Sequence, residues 1–553
     1  MVTQATAYFR TKVLSRLTPW SAAVFMLAAV FLSPILAVFW AATGDSGGLW
    51  AHLSSSVLPR YIGNTLMLMG GVAVVCLLFG VSTAWTVVRY DFPGRRVFEW
   101  LLLLPAAMPA YLIAYVYTDF LEYAGPVQGF LREVFGWQRA SDYWFPEIRS
   151  MEGAIMVMGA VLYPYVYVMS RTAFLLTPSS LFEAGMLSRR NVFWKVALPL
   201  ARPAIAAGLA LAMMETVSDF GTVEYFAIWT LTLGIFNVWL GMNSLAAAAQ
   251  IASVAFLFII ALLALEILAR ARRRFSDTAR RAVSLRPVTV KGRGITACWV
   301  VCATPILVGF VLPVGVLASF VIKGHSLDLN EKMVSATFNS VFLGGSVALV
   351  VMSVAAFMGF VAAYHSGPLL KRMTALASVG YAFPGTILAI GVVTAAGALD
   401  GAIAAVLGAV SDITFDGWFT SGVGLVIFAC AVRFQAVGYG AVTTGLERLP
   451  PNMMSASRVL GHGFGASLGK VIMPLVSMSF VAGGLLVFVD VMKELPMTLL
   501  LRPFNYETLA TYVYQYAKDE LLEEAALPAL FIVLSGVLPV MMMNAVLNRF
   551  TRQ

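Results

Sequence analysis

Charge is scarce in this chain. Asp, Glu, Lys and Arg make up 12% of its 553 residues, about half the share of a soluble globular protein, which excludes an ordinary water-soluble domain. Histidine is scarcer still. His52, His325, His365 and His462 are scattered, and no His/Cys spacing of a metal site occurs. Cys76, Cys298, Cys302 and Cys430 all lie in apolar segments, so they read as small core residues with no disulfide. The phosphate-binding pattern G-x-x-x-x-G-K-[ST] is absent. The stretch Gly465–Val471 comes nearest, but its glycine spacing is wrong and no hydroxyl follows Lys470. No Ser/His/Asp set and no carboxylate pair on a soluble domain points to an enzyme.

Apolar residues are plentiful instead, at 60% of the chain. Runs of roughly 20 apolar residues recur, the length a helix needs to cross a bilayer, so the expected fold is an all-α polytopic membrane protein. A transmembrane barrel would show short alternating segments. Twelve spans are expected, at about 21–43, 61–88, 99–120, 152–174, 200–220, 245–268, 295–321, 337–364, 373–397, 421–445, 475–495 and 524–546. The net charge of +9 does not imply nucleic acid, because the basic residues sit between apolar runs and act as topology determinants. Arg10, Lys12 and Arg16 precede the first span. With the later basic loops they place both termini in the cytoplasm and residues 121–150 outside. The first apolar run is too long for a cleaved signal and is read as a retained helix.

The chain repeats. At an offset of 275, Asn64 matches Asn339, Pro93 matches Pro368, Pro109 matches Pro384 and Pro199 matches Pro474. The organisation is therefore a first six-helix half (1–269), a basic cytoplasmic linker (270–294) and a second six-helix half (295–553). An even number of spans per half makes the copies parallel, as a pseudo-two-fold axis along the membrane normal requires.

The stretch Pro451–Pro474, PNMMSASRVLGHGFGASLGKVIMP, is too polar for the hydrocarbon core. It is expected to form a short helix, a glycine turn and a second short helix that Pro474 leads into the membrane. Its pattern, Ala456-x4-Gly461 followed by Val471-x-Met473-Pro474, resembles the "EAA" loop of membrane subunits of ABC-type importers, with Ser455 where Glu is usual. A second copy, Glu183-Ala184-Gly185 with Val196-x-Leu198-Pro199, keeps the Glu and is three residues shorter between Glu and Pro. The resemblance implies a type I importer-like fold and coupling loops that dock on a separate cytoplasmic ATPase. The coupling residues it assigns are Glu183, Ala184, Gly185, Leu198, Pro199, Ala456, Gly461, Val471 and Pro474.

Polar residues beside apolar spans are costly and mark pathways. Glu215, Asp219 and Glu224 fall in METVSDFGTVEYF, and Asp490 and Glu494 in VDVMKELPMTLL. Glu215 with Asp219, and Asp490 with Glu494, are each four apart and share a helix face. Their oxygens suit a hard cation held in passing; alternatively they cap helix ends or pair with Lys493. These two segments, with the fused layout, resemble the ferric-iron importer permeases of bacteria. The resemblance implies an inner-membrane permease, not an enzyme, that moves ferric iron inward. It would have no cofactor of its own, since ATP and Mg belong to the partner. The implied partners are a cytoplasmic ATPase homodimer, a periplasmic substrate-binding protein and the lipid bilayer. Fused permeases for thiamine or phosphonates share the layout. An ion-coupled secondary transporter is the remaining alternative, and it would need no docking loop.

Overall fold

The computed structural model describes residues 18–552 apart from 188–190, 272–286, 325–329, 366–367, 411–416, 418, 421 and 451–452. Among the described residues ten helices are long and apolar enough to cross a membrane. Five belong to the first half: Pro19–Ala42, Leu58–Arg89, Met151–Leu176, Phe193–Ser218 and Leu245–Ala264. Five belong to the second: Arg293–Ile322, Glu331–Tyr364, Gly385–Gly408, Val423–Glu447 and Gly465–Met492.

The expectation of twelve straight spans needs two corrections. The span expected at 99–120 is a bent pair, Arg95–Ala107 and Ala110–Phe135, at 92° to each other; counted as one span it makes eleven. The cause is local. Pro105 opens a 3-10 turn, Leu104–Ala107, and Pro109 follows Met108. A residue before proline is pushed out of the helical region, and Met108 is extended at φ −86°, ψ 129°. The second half breaks in the same register. Its 3-10 turn is Val379–Ala382 and Phe383, before Pro384, is extended at φ −93°, ψ 135°. The ninth span therefore starts at Gly385 rather than near 373, after a separate helix Pro368–Ala377. The span expected at 524–546 is the helix Ala526–Arg552, whose described apolar part is Ala526–Leu538.

The repeat reaches individual hydrogen bonds. Asn64 Nδ2 donates to Trp229 O at 3.1 Å, and Asn339 Nδ2 donates to Glu507 O at 2.9 Å. Each amide ties a spanning helix to the loop before a later short helix. Tyr167 Oη donates to Glu99 O at 3.2 Å. Its counterpart Tyr439 Oη bonds Thr374 Oγ1 at 2.8 Å, at the matching place before the second break.

Packing divides the chain differently from the sequence halves. One compact unit holds Met1–Ala41, Ser340–Met492 and Leu500–Tyr506. In it the first helix lies on second-half helices: the rings of Trp20 and Phe357, and of Phe31 and Phe428, are each 6.2 Å apart. Pro34 O sits where a Cβ on Gly391 would be. The other unit holds Ala42–Asn339, Lys493–Leu499 and Glu507–Gln553. There the first helix of the second half lies on first-half residues. Trp299 Nε1 donates to Pro93 O at 3.0 Å and Tyr117 Oη to Val308 O at 2.8 Å. A Cβ on Gly309 would stand 2.9 Å from Pro105 Cβ. Pro34 and Gly309 are themselves at the 275 offset, so each half lends its first helix at the same position along it.

The basic linker is largely outside the described residues. Its end is anchored: Val288–Thr289 pairs as a short parallel ladder with Tyr90–Asp91, and Val290 N donates to Asp91 O at 3.2 Å. The four cysteines are buried. Arg433 is buried in its helix, its guanidinium 5.7 Å from the Phe434 ring centre. A second interior cation was not foreseen. Arg171 Nη2 lies 2.8 Å from Glu99 Oε2, and Arg95 Nε 3.1 Å from Glu99 Oε1.

Candidate functional site

The first coupling segment opens with the helix Ser179–Leu187. Phe182 is fully buried, its ring 6.2 Å from that of Trp85. Trp85 also meets Phe174 and Phe193, each at 5.3 Å. This aromatic box fixes the helix on the spans beneath it. Gly185 is buried because the backbone comes close: a Cβ there would lie 2.8 Å from Val196 Cγ2. Glu183 and Ala184 are exposed, and so are Leu187, at 87%, and Trp194, at 61%. Pro199 occupies the first turn of the helix Leu198–Ser218, where its missing N–H costs nothing.

The second segment has the expected order. The helix Met453–Val459 ends in a turn at Gly461, and a helix Phe464–Ser467 follows. Gly461 has φ +81° with open space around a notional Cβ, so backbone conformation alone demands glycine there. The turn is clasped from inside. Ser457 Oγ and Ser467 Oγ bond at 2.7 Å, and His462 N donates to Ser457 O at 3.1 Å. Val471 packs with Ile472 and Met473 on a buried cluster that includes Phe360, Val442 and Val476. Pro474 then lies in the first turn of Met473–Met492.

The two segments are built alike but not equally. A π-turn leads each into its span, at Phe193–Ala197 and Leu468–Ile472, again 275 apart. Such turns are rare and concentrate at functional sites. Ala184 and Ala456 are both exposed. Aligned from these alanines, Leu187 falls on Val459, and each is 87% exposed, with Leu460 beside it at 76%. The first loop is held by aromatic packing, the second by a hydroxyl clasp and a left-handed glycine.

The pathway candidates lie after the fifth span of each half. Asp219 follows the helix Leu198–Ser218 and caps the next one, Gly221–Tyr225. Its carboxylate accepts from Thr222 N at 2.9 Å, Val223 N at 3.3 Å and Thr222 Oγ1 at 3.1 Å. Glu494 repeats this at the helix Pro496–Leu501, accepting from Met497 N at 3.1 Å. Gly221 is wedged, its notional Cβ 2.6 Å from Tyr111 Cβ and 3.0 Å from Leu495 Cδ2. Glu224 pairs with Lys518 Nζ at 3.3 Å. Glu215 and Asp490 sit half-buried on the last turns of their helices. Among the described residues no group of three or more His, Cys, Asp or Glu could hold a metal ion. The ligand role expected of Glu215, Asp219, Asp490 and Glu494 thus has no preformed cluster behind it.

Two segments of the chain, residues 76–274 and 355–553, match the family described as "binding-protein-dependent transport system inner membrane component". The chain belongs to that family. This transport permease is a fused one, carrying two copies of the family domain. It is 23% identical over 497 residues to the Fe(3+)-transport system permease protein FbpB 2 of Haemophilus influenzae, covering 88% of this chain and 90% of the relative. It is 29% identical over 212 residues, 37% of this chain and 72% of the relative, to the sulfate transport system permease protein CysT of Synechococcus elongatus. The putative 2-aminoethylphosphonate transport system permease protein PhnU of Salmonella choleraesuis is 26% identical over 262 residues, 45% of this chain and 90% of the relative. The permease is a multi-pass inner-membrane protein, and its coupling segments fall inside the matched regions.

Proposed function

We propose that this permease is the membrane subunit of an ATP-driven importer that moves ferric iron from the periplasm to the cytoplasm. The carrying observation is the pair of coupling segments, each ending in exposed apolar side chains on a rigidly held short helix. Leu187 on one and Val459 with Leu460 on the other are stranded in water unless a partner covers them. A cytoplasmic ATPase dimer offers two equivalent grooves, one per segment. The loops therefore face the cytoplasm, and both termini lie on that side. ATP and Mg stay on the ATPase, and a periplasmic binding protein delivers the cargo at the outer ends of the fifth spans.

For ferric iron the support is the relative that spans nearly the whole chain in the same fused layout. Glu215 and Asp490 are the acids left to meet a passing cation, since Asp219 and Glu494 have capping work. Carboxylates near one another repel, and an arriving cation relieves that repulsion without a tight cage. A second reading, an oxyanion cargo, is favoured by the sulfate and phosphonate relatives that match single halves. The test is transport by the reconstituted permease, ATPase and binding protein. Uptake driven by an iron-loaded binding protein is expected; uptake only with sulfate, molybdate or phosphonate carriers contradicts the iron reading.

A further inference from the structure

A polar cavity of about 560 Å³ lies inside the packing unit that contains most of the first half. It is walled by the end of the helix Ala110–Leu121, the turn after it, the end of the helix Leu312–Ile322 and the turn after Lys518. Four carboxylates line it, those of Asp119, Glu122, Glu520 and Glu523, against the two cations Arg149 and Lys323. Arg149 is engaged: its Nε lies 2.6 Å from Glu122 Oε1 and its Nη2 3.3 Å from Glu520 Oε1. The guanidinium also stacks 4.9 Å from the Tyr225 ring centre. Negative charge is in excess around the space.

A second observation turns this acidic lining into a site. Tyr115 and Thr118 both line the cavity, and each is 1% exposed. Neither Tyr115 Oη nor Thr118 Oγ1 has a hydrogen-bond partner among the described residues. Three residues apart on one helix, the two side chains share a face. Buried hydroxyls are rarely left unbonded in a folded protein, so two on one face of a cavity point to something that enters it.

We propose that this cavity binds a small organic cation carrying protonated primary amines. An ammonium brings several N–H donors and no acceptor. Those donors match the surplus carboxylates and the two waiting hydroxyl oxygens. An aliphatic stem finds the rings of Phe120 and Phe320, and aromatic faces favour a cation nearby. A directly ligated metal ion fits less well, because no group of three or more acidic, His or Cys side chains could hold one among the described residues. The site is separate from the acids assigned to the cargo route and does not depend on which cargo is carried.

The test uses the purified full chain in lipid nanodiscs, with 1,4-diaminobutane as probe and calorimetry as readout. Saturable binding is expected, weakened about ten-fold in Tyr115→Phe/Thr118→Val, the loss of one or two hydrogen bonds to a charged group. Neither substitution removes a hydrogen bond within the fold, so Tm is expected to stay level or rise. Asp119→Asn is expected to weaken binding as well, and Thr118→Ser, which keeps the hydroxyl, to retain it. Three results would each overturn the proposal: no saturable binding of the diamine, equal binding of tetramethylammonium, which has no N–H, or undiminished binding by the double variant. Magnesium chloride binding in place of the diamine, with the same dependence on Asp119, would assign the cavity to a hydrated metal ion instead.

Discussion

Gly461 shows how one backbone angle serves a docking element. Its φ of +81° lies where an L side chain costs about 1–2 kcal/mol, and no neighbour would clash with a Cβ. Gly461→Ala is therefore expected to leave membrane insertion intact and lower ATPase-coupled transport, with Gly461→Asn closer to wild type because asparagine tolerates the left-handed region. Equal transport by the alanine and wild-type proteins in reconstituted vesicles would remove the turn from the mechanism. The acids divide by role in the same residue-level way. Asp219 and Glu494 accept backbone N–H groups, so Asp219→Ala is expected to cost about 1 kcal/mol as a lost cap, read as a lower Tm. Glu215→Gln with Asp490→Asn is expected to keep Tm and assembly while reducing uptake. Unchanged uptake in that pair would leave the route without its acids.

At the scale of elements, two devices hold the coupling helices in place. The first is the Trp85 box. Phe182→Ala removes a fully buried ring whose loss from a core costs about 3–5 kcal/mol. The helix Ser179–Leu187 is expected to loosen, seen as faster amide exchange there and weaker ATPase capture, while the spans persist. Unchanged exchange in residues 179–187 would show that the box does not fix the helix. Much of this level was legible beforehand. The matched prolines at 109 and 384, and the glycine-broken stretch before Pro474, act through local backbone rules that a sequence displays. The 92° bend was not read as a bend, because the apolar run continues through Pro105 and Pro109 and hydropathy has no direction. The ion pair of Glu99 with Arg171 was also invisible. Arg95 stands one turn from Glu99 in the chain, but Arg171 meets it only through tertiary packing. The capping by Asp219 and Glu494 was one of two readings open to those acids, and the N–H groups that decide it come from the backbone geometry of the following turn.

At the scale of the whole molecule, the 275-residue repeat describes the sequence and the hydrogen bonds, while the packed units exchange first helices. Gly391 and Gly309 are where that exchange becomes tight. Gly391→Leu would force a side chain into the backbone at Pro34, and overpacking of this kind costs about 1–3 kcal/mol or more. It is expected to release the first helix, detectable as new protease sensitivity near residue 41 with the rest of the chain resistant. Cysteine labelling at positions 135 and 280 is expected to report opposite sides of the membrane, and the same side for both would break the topology.

The central claim is that two exposed apolar tips, one per half, carry the contact with the ATPase. Capture of the purified ATPase by the nanodisc-embedded permease, compared between wild type, Leu187→Asp, Val459→Asp and the double variant, tests it most directly. The account predicts weaker capture in each single variant and loss of capture in the double, with Tm unchanged because both side chains are 87% exposed. Full capture by the double variant would contradict it.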